Sequence, residues 1–381
     1  MIYLDNGATS FPKPVPVIRA VGTATAKMGN PGRGDYRAAM AAAQTIYRCR
    51  EAAGEMFGCD PEHVVLTANC TQGLNMAIRT LVKPGDRVVV SGFEHNAVTR
   101  PLHLLGAETI VAGRKLFDWE DTIKEWERAL DQKPRAAVFT HVSNVFGYIL
   151  PVEQMAALCR DRGIPFIMDA AQSAGVLEVS LKAMGADFIA MPGHKGLLGP
   201  TGTGLLLCGR NPDVWLAGGT GSDSIRQEMP EFLPDRGEAG TANVPGAAGL
   251  LAGMAEVKRM GNIADREARE AARCAAGLRK LGMEVFSGPH QAGTVSVRTK
   301  RDCEEVANAL AHRGIAVRAG LHCAPLAHES AGTLDTGTLR VSFGHNANRG
   351  QTETFLRAMG EIVKKTRGGA CPPCVFAADR A

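Results

Sequence analysis

Residues 60 to 210 alternate short, continuous apolar runs with longer stretches of helical spacing. The runs are His63-Val-Val-Leu-Thr67, Arg87-Val-Val-Val-Ser91, Ala136-Ala-Val-Phe-Thr140, Ile164-Pro-Phe-Ile-Met-Asp169, Asp187-Phe-Ile-Ala-Met191 and Gly204-Leu-Leu-Leu-Cys208. Each is apolar at consecutive positions, the pattern of a strand buried on both faces. Between them lie helix-like segments such as Val152–Asp161, closed by a glycine at 163. Strands alternating with helices predict an α/β fold with a large, mostly parallel sheet.

The pattern changes after residue 210. Residues 211–247 are rich in Gly and Pro, lack periodicity and predict a long loop. A helix is expected over about 247–281. Strands follow at Gly293–Arg298, Ile315–Arg318 and Thr338–Ser342, with helices near Cys303–His312 and Arg349–Lys365. This mixture predicts a smaller α+β domain. The expected division is a large domain at 15–246, a smaller one made of 1–14 and 247–367, and an irregular tail at 368–381.

Composition narrows the function classes. The chain has 381 residues, 45% hydrophobic and 22% charged, as in ordinary globular proteins. No apolar stretch reaches membrane-spanning length, and the first residues lack the basic and apolar regions of a signal peptide, so a cytoplasmic location is expected. Net charge is +4, from 43 basic and 39 acidic residues with no long basic run, so neither nucleic acid nor a membrane surface is an expected partner. Ten scattered cysteines suit free thiols in a reducing compartment. No metal site is predicted.

Candidate chemistry gathers where the predicted strands end, the place where open α/β sheets bind ligands. Lys195 follows the 187–191 run in a glycine-rich turn, Pro192-Gly-His-Lys-Gly196. Desolvation there would lower its pKa and free the amine to attack a carbonyl, as a Schiff-base lysine of a pyridoxal phosphate (PLP) enzyme requires. Asp169 ends another run; it suits either a helix cap or a partner for a protonated pyridine nitrogen. Gln172, three residues on, could reach the same ligand or be structural or solvated. Thr71 opens a helix, as a plain cap residue or a phosphate ligand. His95 follows strand 87–91 and could stack on a flat cofactor and shuttle protons. Asn144 follows strand 136–140 and could bond a phenolic oxygen.

Asp169-Ala-Ala-Gln172, then Gly193-His-Lys195 with its Gly-Pro-Thr-Gly-Thr-Gly tail, resembles the class V aminotransferase superfamily. Glu238-Ala-Gly-Thr-Ala-Asn243, Arg318-Ala-Gly-Leu-His-Cys-Ala-Pro325 and Leu4-Asp-Asn-Gly-Ala-Thr9 are similar to the cysteine desulfurases within it. The likeness covers nearly all of residues 1–365. It implies the fold type I PLP architecture, generally as a homodimer with the active site at the subunit interface. It implies a sulfurtransferase that converts L-cysteine to L-alanine, leaving a persulfide on Cys323 for a sulfur-acceptor protein. Lys195 would hold PLP as a Schiff base, and His95 would stack on the ring. Asp169 would pair with the pyridine nitrogen, and Asn144 and Gln172 would lie near the phenolic oxygen. Thr71 and His194 would bind phosphate, with Thr241 reaching the phosphate of the neighbouring subunit. Arg340 would clamp the substrate carboxylate. His322 and Arg318, close to Cys323 and the substrate, could favour its thiolate.

The alternatives within this chemistry are selenocysteine lyase, another PLP-dependent β-elimination and transamination. A PLP-binding sulfur carrier without turnover is the non-enzymatic one. Arg340 lies 17 positions after Cys323 (340 − 323), resembling the short-loop, selenocysteine lyase-like branch, which implies a partner that enters the site. The chain departs from the family pattern at Pro192, where members commonly have Ser, and at Phe343-Gly-His-Asn-Ala-Asn348. Cys371-Pro-Pro-Cys374 is a further departure: it could relay sulfur, form a redox disulfide or supply half of a zinc site, or be a passive tail.

Overall fold

The computed structural model describes residues 1–32, 34–222 and 224–366, so Cys371 and Cys374 lie outside the described residues. Its main sheet has seven strands, in the order 64–67, 204–208, 188–192, 166–169, 136–140, 87–91, 108–112. Strand Gly204–Cys208 is antiparallel to both neighbours, and the others share one direction. All six predicted apolar runs are strands of this sheet. Ala136–Thr140, Phe166–Asp169, Phe188–Pro192 and Gly204–Cys208 are buried at every position. Two cores cover its faces, one built around Trp126, Phe139 and Phe166, the other around Leu74, Val90 and Phe188.

Strand Glu108–Ala112 was not legible as an apolar run. It is one of the two edge strands, pairing among the described residues only with Arg87–Ser91, and its first two residues are exposed. The single helix expected over 247–281 is two helices, Val244–Met260 and Ile263–Lys280. The break falls at Gly261 and Asn262, both at positive φ (49° and 40°), which a continuous helix excludes. The first helix packs on helices Val15–Lys27 and Arg37–Phe57, burying Val244, Leu250 and Met254 in a core of the large sheet. The second contributes Ala271, Cys274 and Leu278 to a third core.

That third core lies on an antiparallel four-stranded sheet, in the order 318–320, 338–342, 294–298, 284–286. The chain start lies against the same core, to which Leu4 belongs: Ile2–Tyr3 forms a separate two-stranded parallel sheet with Ile315–Ala316, and Asp5 bridges to Ser342 of the four-stranded sheet. The N-terminal segment thereby delivers residues 5–10 to the carboxyl ends of the large sheet, where the Ser10 amide donates to the His194 carbonyl at 3.1 Å.

Candidate active site

Five strands of the main sheet end on one rim, and each supplies a candidate. Thr67 leads to the helix Cys70–Leu81, capped by Asn69 Oδ1, which accepts the Gln72 amide at 2.9 Å. Gln72 Oε1 returns the bond by accepting the Ala68 amide at 2.7 Å, a reciprocal cap that fixes the helix start. Thr71 is exposed in this first turn, where backbone N–H groups favour an anion. Strand 87–91 leads to His95. Its Nδ1 accepts the Ala97 amide at 3.0 Å and caps the next helix, which places the proton of the neutral ring on Nε2.

Asp169 closes its strand, 3% exposed. Its Oδ1 accepts from the Ala171 amide at 2.8 Å and from the Cys70 thiol at 3.5 Å. Among the described residues no hydrogen bond reaches Oδ2. Burial drives the Cys70 thiol pKa well above its ordinary value, so Cys70 is a donor here. Lys195 stands in the adjacent turn, partly accessible from the cleft but crowded by protein. Burial lowers its pKa, against the opposing pull of Asp169. The pKa of His95 is also lowered, chiefly by burial, with Asp169 acting the other way.

The Gly193-His-Lys195 turn is tightly held. The Gly193 amide donates to the Thr203 carbonyl at 2.8 Å. The His194 carbonyl accepts from Thr9 Oγ1 (3.0 Å), Ser10 Oγ (3.1 Å) and Lys13 Nζ (2.7 Å). Burial brings His194 down to about 4, so its ring is neutral, and Nδ1 meets Thr9 Oγ1 at 3.1 Å. Gln172 donates to the Gly7 carbonyl at 3.0 Å, tying the same N-terminal segment to the site. Pro192 ends its strand opposite Gly204, at a position that leaves the turn intact.

The second half of the site comes from the smaller sheet. Arg340, 2% exposed, donates Nη1 to the Asn144 carbonyl at 3.0 Å and Nη2 to Asp5 Oδ1 at 2.8 Å. Arg318 pairs with the same carboxylate, Nε to Oδ2 at 3.0 Å and Nη2 to Oδ2 at 3.0 Å. Asn144 donates Nδ2 to the His322 carbonyl at 2.8 Å, and the Asn96 amide donates to the Cys323 carbonyl at 2.7 Å. His322 and Cys323 both lie in the left-handed region, φ 51° and 57°, so the loop turns sharply and presents Cys323 exposed. Bonds therefore run from Asn96, beside His95, through Cys323 and Asn144 to Arg340.

One expectation needs correction. His322 does not stand as a cation beside Cys323: its ring is buried, Nε2 meets the Thr338 carbonyl at 3.2 Å, and burial drives its pKa well below the ordinary value. Arg318 is the cation whose field reaches Cys323. Thr241 is not among the residues that line the small cavity at Lys195. It is exposed and lines a separate 270 Å³ cavity with Gln72 and Gly204. Glu238, from the same motif, is an anchor: its carboxylate takes both Arg50 Nη atoms at 2.6 and 2.8 Å. Asp5 and Cys70 are site residues that sequence reasoning did not single out. Asp5 stood inside a quoted motif, but its partners lie 313 and 335 residues away.

The architecture is that of fold type I enzymes, and a profile for Aminotransferase class-V matches residues 2–355. The chain belongs to the class V aminotransferase family. A probable cysteine desulfurase from Pyrococcus abyssi is 33% identical, the match covering 96% of this chain and 95% of that protein. One from Methanothermobacter thermautotrophicus is 32% identical over the same shares. A cysteine desulfurase structure from Thermococcus onnurineus NA1 superposes with a TM-score of 0.87 at 33% identity, over 96% of this chain and 95% of that one. A desulfurase structure from Escherichia coli, 24% identical with a TM-score of 0.84, shares the fold.

The family is generally PLP-dependent, and the residues present fit that cofactor. Asp169 keeps one carboxylate oxygen without a partner, and buried Arg340 Nε and Asn144 Oδ1 also lack one among the described residues. Buried polar atoms left open in this way mark a place for a polar ligand.

Proposed function

We propose that this protein is a PLP-dependent cysteine desulfurase that converts L-cysteine to L-alanine and holds the sulfur on Cys323. The observation that carries it is the bonded path from Asn96, next to His95, through the Cys323 loop and Asn144 to Arg340. It supports a reading in which the Cys323 thiol is the nucleophile and Arg340 the carboxylate clamp, beside the rim that carries Lys195 and Asp169. In this assignment Lys195 carries PLP, Asp169 takes the ring nitrogen and His95 covers the ring. Asn144 and Gln172 face the phenolic oxygen, and Thr71 and His194 take the phosphate. When bound, PLP supplies an electron sink for the pair left on Cα.

The chain's own groups do the rest. Arg340, with Arg318 at the mouth, binds and orients the substrate carboxylate. The Lys195 amine, its pKa lowered by burial, takes the Cα proton. His95 carries its proton on Nε2 and is placed to move it. The Cys323 thiolate attacks the substrate sulfur, and the new S–S bond forms as the C–S bond breaks. The released electron pair stays with the carbon fragment, which is protonated to alanine. The short, tethered loop supports transfer to an acceptor that comes to Cys323. Exposed Trp215, Leu216, Ile225 and Phe232 in the loop before Thr241 support a homodimer in which Thr241 reaches the partner's phosphate site.

The test is a product assay on the PLP-loaded protein with L-cysteine and L-selenocysteine. Wild type yields alanine and protein-bound sulfane sulfur. Cys323→Ser lowers cysteine turnover at least 100-fold and abolishes the persulfide while the cofactor absorbance is retained. Pyruvate and ammonia in place of alanine, or undiminished persulfide in the variant, would sink the assignment.

A further inference from the structure

The carboxylate corner is already partly filled by the protein itself. Asp5 is 8% exposed and accepts from both arginines assigned to the substrate carboxylate: Arg340 Nη2 at 2.8 Å, Arg318 Nε at 3.0 Å and Arg318 Nη2 at 3.0 Å. Arg340 Nη1 is held by the Asn144 carbonyl. Arg340 Nε and Asn144 Oδ1 remain buried and without partners among the described residues. Asp5 is itself fixed from behind. The Tyr3 hydroxyl donates to its carbonyl at 3.1 Å, and its backbone bridges to Ser342, two residues from Arg340. Two guanidiniums and one carboxylate leave the corner with a single formal positive charge.

We propose that Asp5 is a specificity-determining, positioning residue: it aligns Arg340 and Arg318 and sets the corner's charge so that it accepts a monocarboxylate rather than a dianion. This rests on the assignment of Arg340 to the substrate carboxylate. A buried guanidinium without a counter-charge would attract anions indiscriminately; Asp5 supplies that counter-charge and leaves Arg340 Nε without a partner among the described residues. The substrate class that follows is an α-amino acid whose other end is neutral at the carboxylate corner, such as cysteine or selenocysteine. An amino acid presenting two carboxylates there is disfavoured. The residue acts through the arginines and touches no reacting atom.

The experiment measures binding by calorimetry on the PLP-loaded protein, with propionate and malonate as three-carbon probes of one and two charges. Replacing Asp5 by Asn adds a full positive charge within a few ångströms of the ligand. Between partly desolvated groups at effective dielectric ~20, such a change is worth about ten-fold in affinity per ligand charge after screening. Asp5→Asn therefore tightens malonate about ten-fold relative to propionate. Asp5→Glu keeps the charge and the wild-type ratio, whatever it does to absolute affinity. Arg318→Gln, at a half-exposed position, removes a positive charge and shifts the ratio the opposite way by about three-fold, so it carries the test if an Asp5 variant does not fold. A ratio within two-fold of wild type in both Asp5→Asn and Arg318→Gln overturns the proposal, as does an equal shift in Asp5→Asn and Asp5→Glu. Arg340→Gln weakens both probes. If it weakens neither, the carboxylate assignment itself fails, a result distinct from failure of the Asp5 proposal alone.

Discussion

Glu238 gives a stability prediction whose size follows from the geometry. Its carboxylate meets Arg50 at 2.6 and 2.8 Å, and Oε1 also accepts the Leu66 amide at 2.6 Å. The two side chains are 9% and 20% exposed. Arg50 has one further acceptor, the Val64 carbonyl at 2.6 Å. Glu238→Ala leaves a buried guanidinium without its counter-charge and a strand amide without its acceptor. Breaking a buried pair from one side costs about 3–5 kcal/mol, and an orphaned amide about 1–3 kcal/mol. Water reaching the partly exposed carboxylate side reduces the sum, so the expected loss is about 3 kcal/mol. Glu238→Gln keeps acceptors for Leu66 and one Arg50 nitrogen and costs about 1–2 kcal/mol. The double variant Arg50→Met, Glu238→Gln is less destabilised than the two single changes added together, because no charge is left unpaired. Urea denaturation of the PLP-loaded protein at fixed concentration reads these differences. Glu238→Ala also loosens the segment that carries Thr241, proposed above to reach the partner's phosphate site, and is expected to retain PLP less well on dialysis. A loss below about 1 kcal/mol for Glu238→Ala would refute the reasoning, since the carboxylate would then not neutralise Arg50.

Two further outcomes follow. In Gly193→Ala the new methyl collides with Thr203 Oγ1 and lies 3.0 Å from Leu250 Cδ1, forcing the Lys195 turn to move. Overpacking of this kind costs about 2 kcal/mol, and PLP retention on dialysis should fall at least ten-fold; unchanged retention counts against the turn as the cofactor anchor. Glu267 is buried, and desolvation raises its carboxyl to about 8. It holds a proton in the native state between roughly pH 4.5 and 8 while the unfolded chain has lost it. Its contribution therefore makes the protein less stable as pH rises through that window. Glu267→Gln should flatten the decline between pH 5 and pH 8 in parallel urea titrations, and an unaltered slope would show that Glu267 is ionised in the native state.

The large sheet was legible because both of its faces are covered. Strands buried on two sides need apolar residues at every position, and that signature needs no knowledge of neighbours. Glu108–Ala112 escaped notice because this edge strand is buried only at its last position, so its composition follows solvent as much as the core; the other edge, Val64–Thr67, is mostly buried and kept its apolar run. The division between Val244–Met260 and Ile263–Lys280 was hidden for a different reason. Apolar spacing persists across Gly261 and Asn262, and the break lies in two backbone angles at those positions. In the site, Lys195, Asp169 and His95 could be singled out because each lies at or just beyond the end of a predicted strand.

The sequence by itself determined the class of chemistry: a lysine, an aspartate and a histidine at strand ends, and a cysteine within a family motif. It determined these because strand order along the chain maps onto one rim of a parallel sheet. The tertiary structure alone decided which charges meet. Asp5 finds Arg318 and Arg340 across more than 300 residues, Cys70 turns its thiol to Asp169, and His322 folds inward and stays neutral. Such pairings depend on how the N-terminal segment and the smaller sheet close over the rim. They are set by packing and burial, which no local pattern of residues encodes.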